Sequence, residues 1–216
     1  MPRLHNEPVE GWALLRQKPI SMSSEDRTKD QRARWDLKYE QGLPSLTKPD
    51  PFFISAYERF VNPSLTKPGA ALDLAGGLGR HALWLASRGW QVTVVEISDV
   101  AIGKLSQAAV ERNVKVDLFA GDAAEYKLEP AHFDLIVLFY HLDRSLFPRI
   151  VSALKPGGLL VCKMSLRWDS GESSKTASTN PLQRNELPSL IPELDVLHHQ
   201  ERPVRDRGVV EFIGRK

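Results

Sequence analysis

Between residues 70 and 164 short apolar runs alternate with stretches whose apolar positions recur every three or four residues. That is the pattern of buried parallel strands separated by covering helices. It predicts strands at Ala70 to Leu74, Gln91 to Val95, Lys115 to Phe119, Phe133 to Phe139 and Gly158 to Met164. Helices are expected to begin near Gly79, Ser98 and Ser145, residue types suited to a helix entrance, with Pro148 tolerated in a first turn. The fold class is therefore α/β, a doubly wound, mostly parallel sheet.

Upstream, the pattern is helical from Ser24, a possible cap, through Glu25 and Asp26 in the first turn to an exit at Gly42, with Trp35 and Tyr39 on one face. A second helix is expected to open with Asp50 as cap and Pro51 at its first position. It carries Phe53, Ala56, Tyr57 and Phe60 on one stripe and ends at Asn62 and Pro63. After Met164 the alternation stops: Ser165 to Pro181 is a long polar stretch of the kind that serves as a lid. A short helix near Asn185 to Ile191 then precedes strands around Asp195 to Gln200 and Val209 to Ile213. With no long crossover between them, these two strands imply an antiparallel hairpin.

Composition adds constraints. The 216 residues contain 29 basic and 27 acidic side chains, a formal charge of +2. No single-sign field marks a polyanionic partner, so neither nucleic acid nor a membrane surface is expected. Cys162 is the only cysteine, which rules out an intrachain disulfide or a four-cysteine zinc site and suits a reducing cytoplasm. No apolar run approaches the ~20 residues that span a bilayer, and no secretory leader is evident. Residues 1–23, with Pro2, Pro8 and Pro19, are expected to be a flexible segment, within which Met22 is an alternative start; residues 24–216 are expected to form one domain, a monomer or homodimer.

The candidate chemistry begins at residues 70–81, Ala-Ala-Leu-Asp-Leu-Ala-Gly-Gly-Leu-Gly-Arg-His. The first strand-to-helix turn of a doubly wound sheet is where a ligand meets the backbone, and Gly76, Gly77 and Gly79 permit close approach. Residues 77–82 also match the dinucleotide fingerprint. Asp73 discriminates, because a fixed negative charge there would repel a pyrophosphate but suits the cationic ammonium and sulfonium of S-adenosylmethionine. Glu96, 23 residues on at the next strand end, is placed to accept two ribose hydroxyls, with Ile97 against the adenine face. Asp122, beside Ala123 at the third strand end, can accept from the adenine amine. Singly each is ordinary turn chemistry; jointly they describe one ligand.

These residues resemble the Class I methyltransferase family over roughly Arg34 to Lys216, which implies a seven-stranded Rossmann-like sheet ending in the hairpin inferred above. The Trp35-Asp-Leu-Lys-Tyr39 start and the stretch from His141-Leu-Asp-Arg-Ser-Leu-Phe-Pro148 to Lys155-Pro-Gly-Gly-Leu look like the tellurite-resistance and thiopurine-type small-molecule branch. The resemblance implies that Asp73 through Gly79 line the methionine part, that Glu96 holds the ribose, that Asp122 and Ala123 flank the adenine, and that the Trp35 helix lies over the cofactor. Ala75 and Gly76 depart from the Gly and Cys that many relatives carry. The implied cofactor set is Trp35, Asp73, Ala75, Gly76, Gly77, Gly79, Arg80, Glu96, Ile97, Asp122, Ala123 and Phe139.

Methyl transfer to a soft anion needs alignment and desolvation more than a base, whereas an alcohol or amine acceptor needs help. Tyr140 and His141 follow the fourth strand and are the candidate catalytic pair, with His141 either a base or a packing and orienting residue. Arg80 is either an anion ligand or a solvated side chain. Arg144, Arg167, Arg184 and Arg205 would give the acceptor mouth a basic cast. His198 and His199 are read as surface or core residues, Cys162 as buried filler, and no metal site is expected. The expectation is thus an S-adenosylmethionine-dependent methyltransferase acting on a small-molecule acceptor. A non-catalytic S-adenosylmethionine-binding regulator and an NAD(P)-dependent oxidoreductase are the alternatives. A nucleic-acid substrate is disfavoured because the fourth strand ends in Phe-Tyr-His-Leu rather than Asn or Asp followed by prolines.

Overall fold

In the computed structural model, which describes residues 23–42, 47–168, 181–204 and 207–216, the alternating segments become the strands β1 (Ala70–Leu74), β2 (Gln91–Glu96), β3 (Val116–Ala120), β4 (Phe133–Phe139) and β5 (Leu154–Leu166). A closing hairpin adds β6 (Asp195–Val204) and β7 (Arg207–Arg215). Together they make one seven-stranded sheet in the order β3-β2-β1-β4-β5-β7-β6. Pairing is parallel from β3 to β5 and antiparallel across β5-β7-β6. Register brings the carboxyl ends level: Leu74 pairs with Val95 and Leu138, and Glu96 with Ala120. That shelf is where a doubly wound sheet presents its ligand site.

Side-chain alternation divides the core in two. Leu72, Leu74, Ile136, Leu138, Leu160 and Phe212 face α6 (Leu146–Ala153) and α7 (Glu186–Leu190). Ala71, Val92, Val94, Leu135, Val137 and Val161 face the helices of the other layer, α2 (Pro51–Ala56), α4 (Arg80–Ala86) and α5 (Asp99–Glu111). Full burial of each large aliphatic or aromatic side chain contributes roughly 1.5–3 kcal/mol. Cys162 lies in the first layer, fully buried, where desolvation pushes its thiol pKa up and leaves it a packing residue.

Several boundaries differ from the sequence expectation. Ser23, not Ser24, caps α1 (Ser24–Glu40), its hydroxyl accepting from the Asp26 N–H. Asp50 caps α2 as expected, but the helix then widens into a π turn, Tyr57–Val61, and continues through α3 (Asn62–Ser64), so Asn62 and Pro63 do not end it. β5 begins at Leu154, four residues early, because Leu154 pairs with Phe133 ahead of a register shift. It also runs through Ser165 and Leu166, which pair with β7. Most of the proposed lid, and the segment 1–22 with Met22, lie outside the described residues. No helix among the described residues is long and apolar enough to cross a membrane.

Candidate active site

At the end of β1 the chain turns on Ala75, Gly77 and Gly79, whose φ values are 52°, 58° and 69°. The turn is tied down by the Gly76 N–H, which donates to the Val95 carbonyl, and the Gly79 N–H, which donates to the Gly76 carbonyl. A β-carbon on Gly77 would stand 2.6 Å from the Tyr39 hydroxyl. Gly79 lies behind the turn, where a β-carbon would meet Leu105 at 2.2 Å, so this glycine seats α4 against α5 and does not face the cleft. Ala75 holds a left-handed conformation that costs an L-residue roughly 1–2 kcal/mol. Ala75→Gly is accordingly expected to stabilise the fold by about 1 kcal/mol net of unfolded-state entropy, read as a higher denaturant midpoint at unchanged slope; an unchanged midpoint would refute the strain.

The turn opens into a cleft of about 920 Å³, measured out to its mouth. Trp35, Asp73, Ala75, Gly76, Gly77, Arg80, Glu96, Ile97, Asp122, Ala123, Phe139, Tyr140 and His141 line it together. Asp73 is 1% exposed and accepts one hydrogen bond, from the Ala82 N–H at 3.2 Å. Burial pushes its pKa up to about 7, against the pull of that N–H and of the Arg80 charge. Glu96 is 4% exposed; it accepts from Gly77 N–H at 2.8 Å and Ser98 N–H at 2.9 Å, and burial raises its pKa as well. A carboxylate offers about four lone-pair sites, so Glu96 can still accept two hydroxyls. Asp122 accepts from Ala124 N–H and from the Thr28 hydroxyl of α1, so part of its capacity shapes its own turn.

α1 forms the roof. Its sequence is strongly polar and it docks mainly through polar contacts: Asp36 accepts from the Ser98 hydroxyl at 2.6 Å and from Val100 N–H, Arg32 pairs with Asp99 at 3.1 Å, and the Lys104 ammonium donates to the Tyr39 carbonyl. Gln31, Trp35 and Tyr39, spaced four apart on one face, reach into the cleft, with Trp35 stacked on Tyr39. Burial and the neighbouring Glu96 charge raise the Tyr39 pKa, so its hydroxyl keeps its proton.

At the opposite wall Tyr140 is another left-handed residue, φ 59°, its N–H donating to the Lys163 carbonyl. The turn aims His141 into the cleft. His141 Nε2 is buried with no hydrogen-bond partner among the described residues, and burial lowers its pKa despite Asp143 and Asp122 nearby. Arg80 lies 3.9 Å from Asp50, a loose pair that ties it back toward α2. His81, which sequence reasoning did not single out, also lines the cleft. It accepts from Asp50 N–H, packs between Phe53 and Phe139, and is held neutral by burial. Its position next to Arg80 was the available signal.

The expected basic mouth is not formed by the arginines proposed for it. Arg144 is bound to Glu186 and Arg184 lies near Glu201 and over Trp168; neither these nor Arg167 lines the cleft, and Arg205 lies outside the described residues. No three potential metal ligands cluster among the described residues.

Residues 71–158 match the sequence profile of a methyltransferase domain family. Over 107 residues the chain is 28% identical to the ribosomal RNA small subunit methyltransferase C of Alcanivorax borkumensis, covering 45% of this chain and 32% of that protein. Over 119 residues it is 31% identical to the ubiquinone/menaquinone biosynthesis C-methyltransferase UbiE of Methylobacterium nodulans, covering 50% and 46%. These matches thus span less than half of either relative. Among solved structures, the 1,6-didemethyltoxoflavin-N1-methyltransferase of Burkholderia thailandensis superposes with a TM-score of 0.66 at 18% identity, over 90% of this chain and 91% of that one. Sheet order and glycine turn are those of the class I methyltransferase fold, and residues 71–158 carry the methyltransferase-domain profile within it. None of these relatives singles out the tellurite-resistance branch.

Proposed function

We propose that this chain transfers the methyl group of S-adenosylmethionine to a small-molecule acceptor, with a soft anion such as a thiolate or chalcogen oxyanion favoured. One observation carries the reading: Asp73 and Glu96 are buried side by side around a glycine turn, and neither forms an ion pair among the described residues. Two uncompensated buried carboxylates are costly unless a cation and hydroxyl donors arrive with the ligand. An adenosyl sulfonium with an amino-acid tail supplies both, whereas a dinucleotide pyrophosphate would add to the repulsion.

The bound cofactor supplies an activated methyl group. The protein's own task is then to bind, align and desolvate. Asp73 pairs with the cationic tail, Glu96 accepts the ribose hydroxyls, Ile97 and Ala123 flank the adenine, and the roof residues Trp35 and Tyr39 exclude water. Tyr140 and His141 face the acceptor side. Because His141 is neutral near pH 7, its free nitrogen can take a proton from an acceptor that arrives protonated, or orient one that arrives ionised. A flipped RNA base, which the name of the Alcanivorax relative would suggest, fits less well, since β4 leads into Phe139-Tyr140-His141-Leu142.

Calorimetric titration with S-adenosylhomocysteine and separately with NADH tests the cofactor. Binding of the first alone is expected; binding of NADH alone would overturn the proposal, and S-adenosylhomocysteine binding without turnover on thiols, chalcogen oxyanions or phenols would favour a regulator. His141→Gln separates the roles of that side chain. Turnover of a phenol or alcohol acceptor should fall on the order of 100-fold or more, while a pre-ionised thiolate should be little affected. Equal loss on both would point to orientation rather than proton transfer.

A further inference from the structure

The two edges of the sheet are built differently. β6, at one end, is blunted: its pairing with β7 slips between Val196 and His198, and Pro203 has no N–H to offer a further strand. β3, at the other end, contains no proline, and its pairing with β2 runs from Val116 to Ala120 without a register shift. The Gly121 N–H donates to the Glu96 carbonyl, so the backbone groups of Asp117 and Phe119, in phase with it, also point inward to β2. Those of Val116, Leu118 and Ala120 therefore point outward, where no strand among the described residues meets them. An edge of this kind is a template for another strand.

The side chains along β3 say which strand fits. Val114, Val116 and Leu118 turn toward the core layer shared with α5, whereas Lys115, Asp117 and Phe119 are exposed on the other face. Lys115 and Asp117 stand two positions apart with opposite charges, and neither forms an ion pair among the described residues. A lysine on an edge ordinarily repels a second copy of the same strand. Here the aspartate reverses that effect. If β3 pairs antiparallel with itself about a two-fold axis at Val116, Lys115 of each copy falls opposite Asp117 of the other, at the closely spaced, non-hydrogen-bonded positions. The same register sets Val116 against Val116, whose outward N–H and carbonyl then bond reciprocally, and brings the Leu118 N–H to the Val114 carbonyl of the second copy. Sliding the axis to Leu118 would keep the backbone bonds but set Asp117 against the ring of Phe119. Backbone phase and charge thus select one register, and it is self-complementary, as a two-fold interface must be.

We propose that β3 docks on β3 of a second copy of this chain, joining the two sheets into one continuous sheet across a two-fold axis at Val116. The interface is independent of the methyl-transfer reading and stands or falls separately. The test is sedimentation equilibrium of the full chain and of two charge-reversed variants at exposed positions, Lys115→Asp and Asp117→Lys, each checked for an intact fold by circular dichroism. The unsubstituted chain is expected to be dimeric at about 100 μM. Either variant alone sets like charges opposite each other at both ends of the pairing, and should raise the dimer dissociation constant about tenfold or more. Mixed in equal amounts, the two variants regain opposite charges across the axis, and a mixed dimer should form with an affinity near that of the unsubstituted chain. A merely structural role for either side chain, or an interface elsewhere on the surface, would not produce that recovery. A monomeric unsubstituted chain at that concentration, single variants that dimerise as tightly as it does, or a mixture that stays monomeric would each overturn the proposal.

Discussion

Asp73→Asn is expected to weaken S-adenosylmethionine binding about 100-fold while leaving the fold intact. The substitution keeps the side chain's size and its acceptor for the Ala82 N–H, and removes only the charge. A charge-assisted hydrogen bond in a desolvated site is worth roughly 1.5–3 kcal/mol, and the cationic tail would lose it together with the longer-range attraction. The wild-type pH dependence gives an independent check. With its pKa pushed up to about 7 by burial, Asp73 is largely ionised only above neutrality. Affinity should therefore be flat at pH 8 and above and decline by up to about tenfold per unit below pH 7. In Asp73→Asn that decline should vanish. Near-normal affinity in the variant would remove Asp73 from the cofactor site. The same raised pKa acts oppositely on stability: the folded chain holds this proton more tightly than the unfolded one, so the contribution is present below about pH 4 and is lost as pH rises toward 7.

Glu96→Ala should cost both binding and stability. Its two oxygens hold the Gly77 and Ser98 N–H groups, which the variant would leave buried without partners, at about 1–3 kcal/mol each. The expected outcome is a loss of about 2–5 kcal/mol in unfolding free energy, with S-adenosylhomocysteine affinity too low to measure by calorimetry. Glu96→Gln keeps one acceptor oxygen and should recover part of the stability but little of the affinity. A Glu96→Ala chain as stable as wild type in denaturant titration would contradict the role assigned to the carboxylate in fastening the glycine turn.

How much of this was legible beforehand depended on whether the signal was local. β1 and β4 run over the residues that hydrophobicity alone predicted, because strands buried on both faces read as unbroken apolar runs. The glycine turn and the strand-end acids were visible because their meaning lies in spacing along the chain. β5 was read short because Lys155-Pro-Gly-Gly has turn composition, and pairing with Phe133 overrides it. Gly79 was assigned to the ligand, yet the contact that requires a glycine there is with Leu105, on a helix whose distance the sequence does not encode. Lys163 stands beside Cys162 in β5. Its partner Asp50 is 113 positions away, and nothing local announces an ion pair of that span. Gln31 could have been found, since it continues the Trp35–Tyr39 face by one more turn.

Ser98 joins the two walls of the cofactor cleft. Its N–H grips Glu96 on the floor, its hydroxyl oxygen caps α5 by accepting from Ala101, and the hydroxyl proton goes to Asp36 in the roof, 62 positions earlier. The width of the cleft is thereby gauged by one side chain of only two heavy atoms. A helix of largely polar composition can in this way close over a charged ligand without a greasy seam, as a clasp rather than a plug.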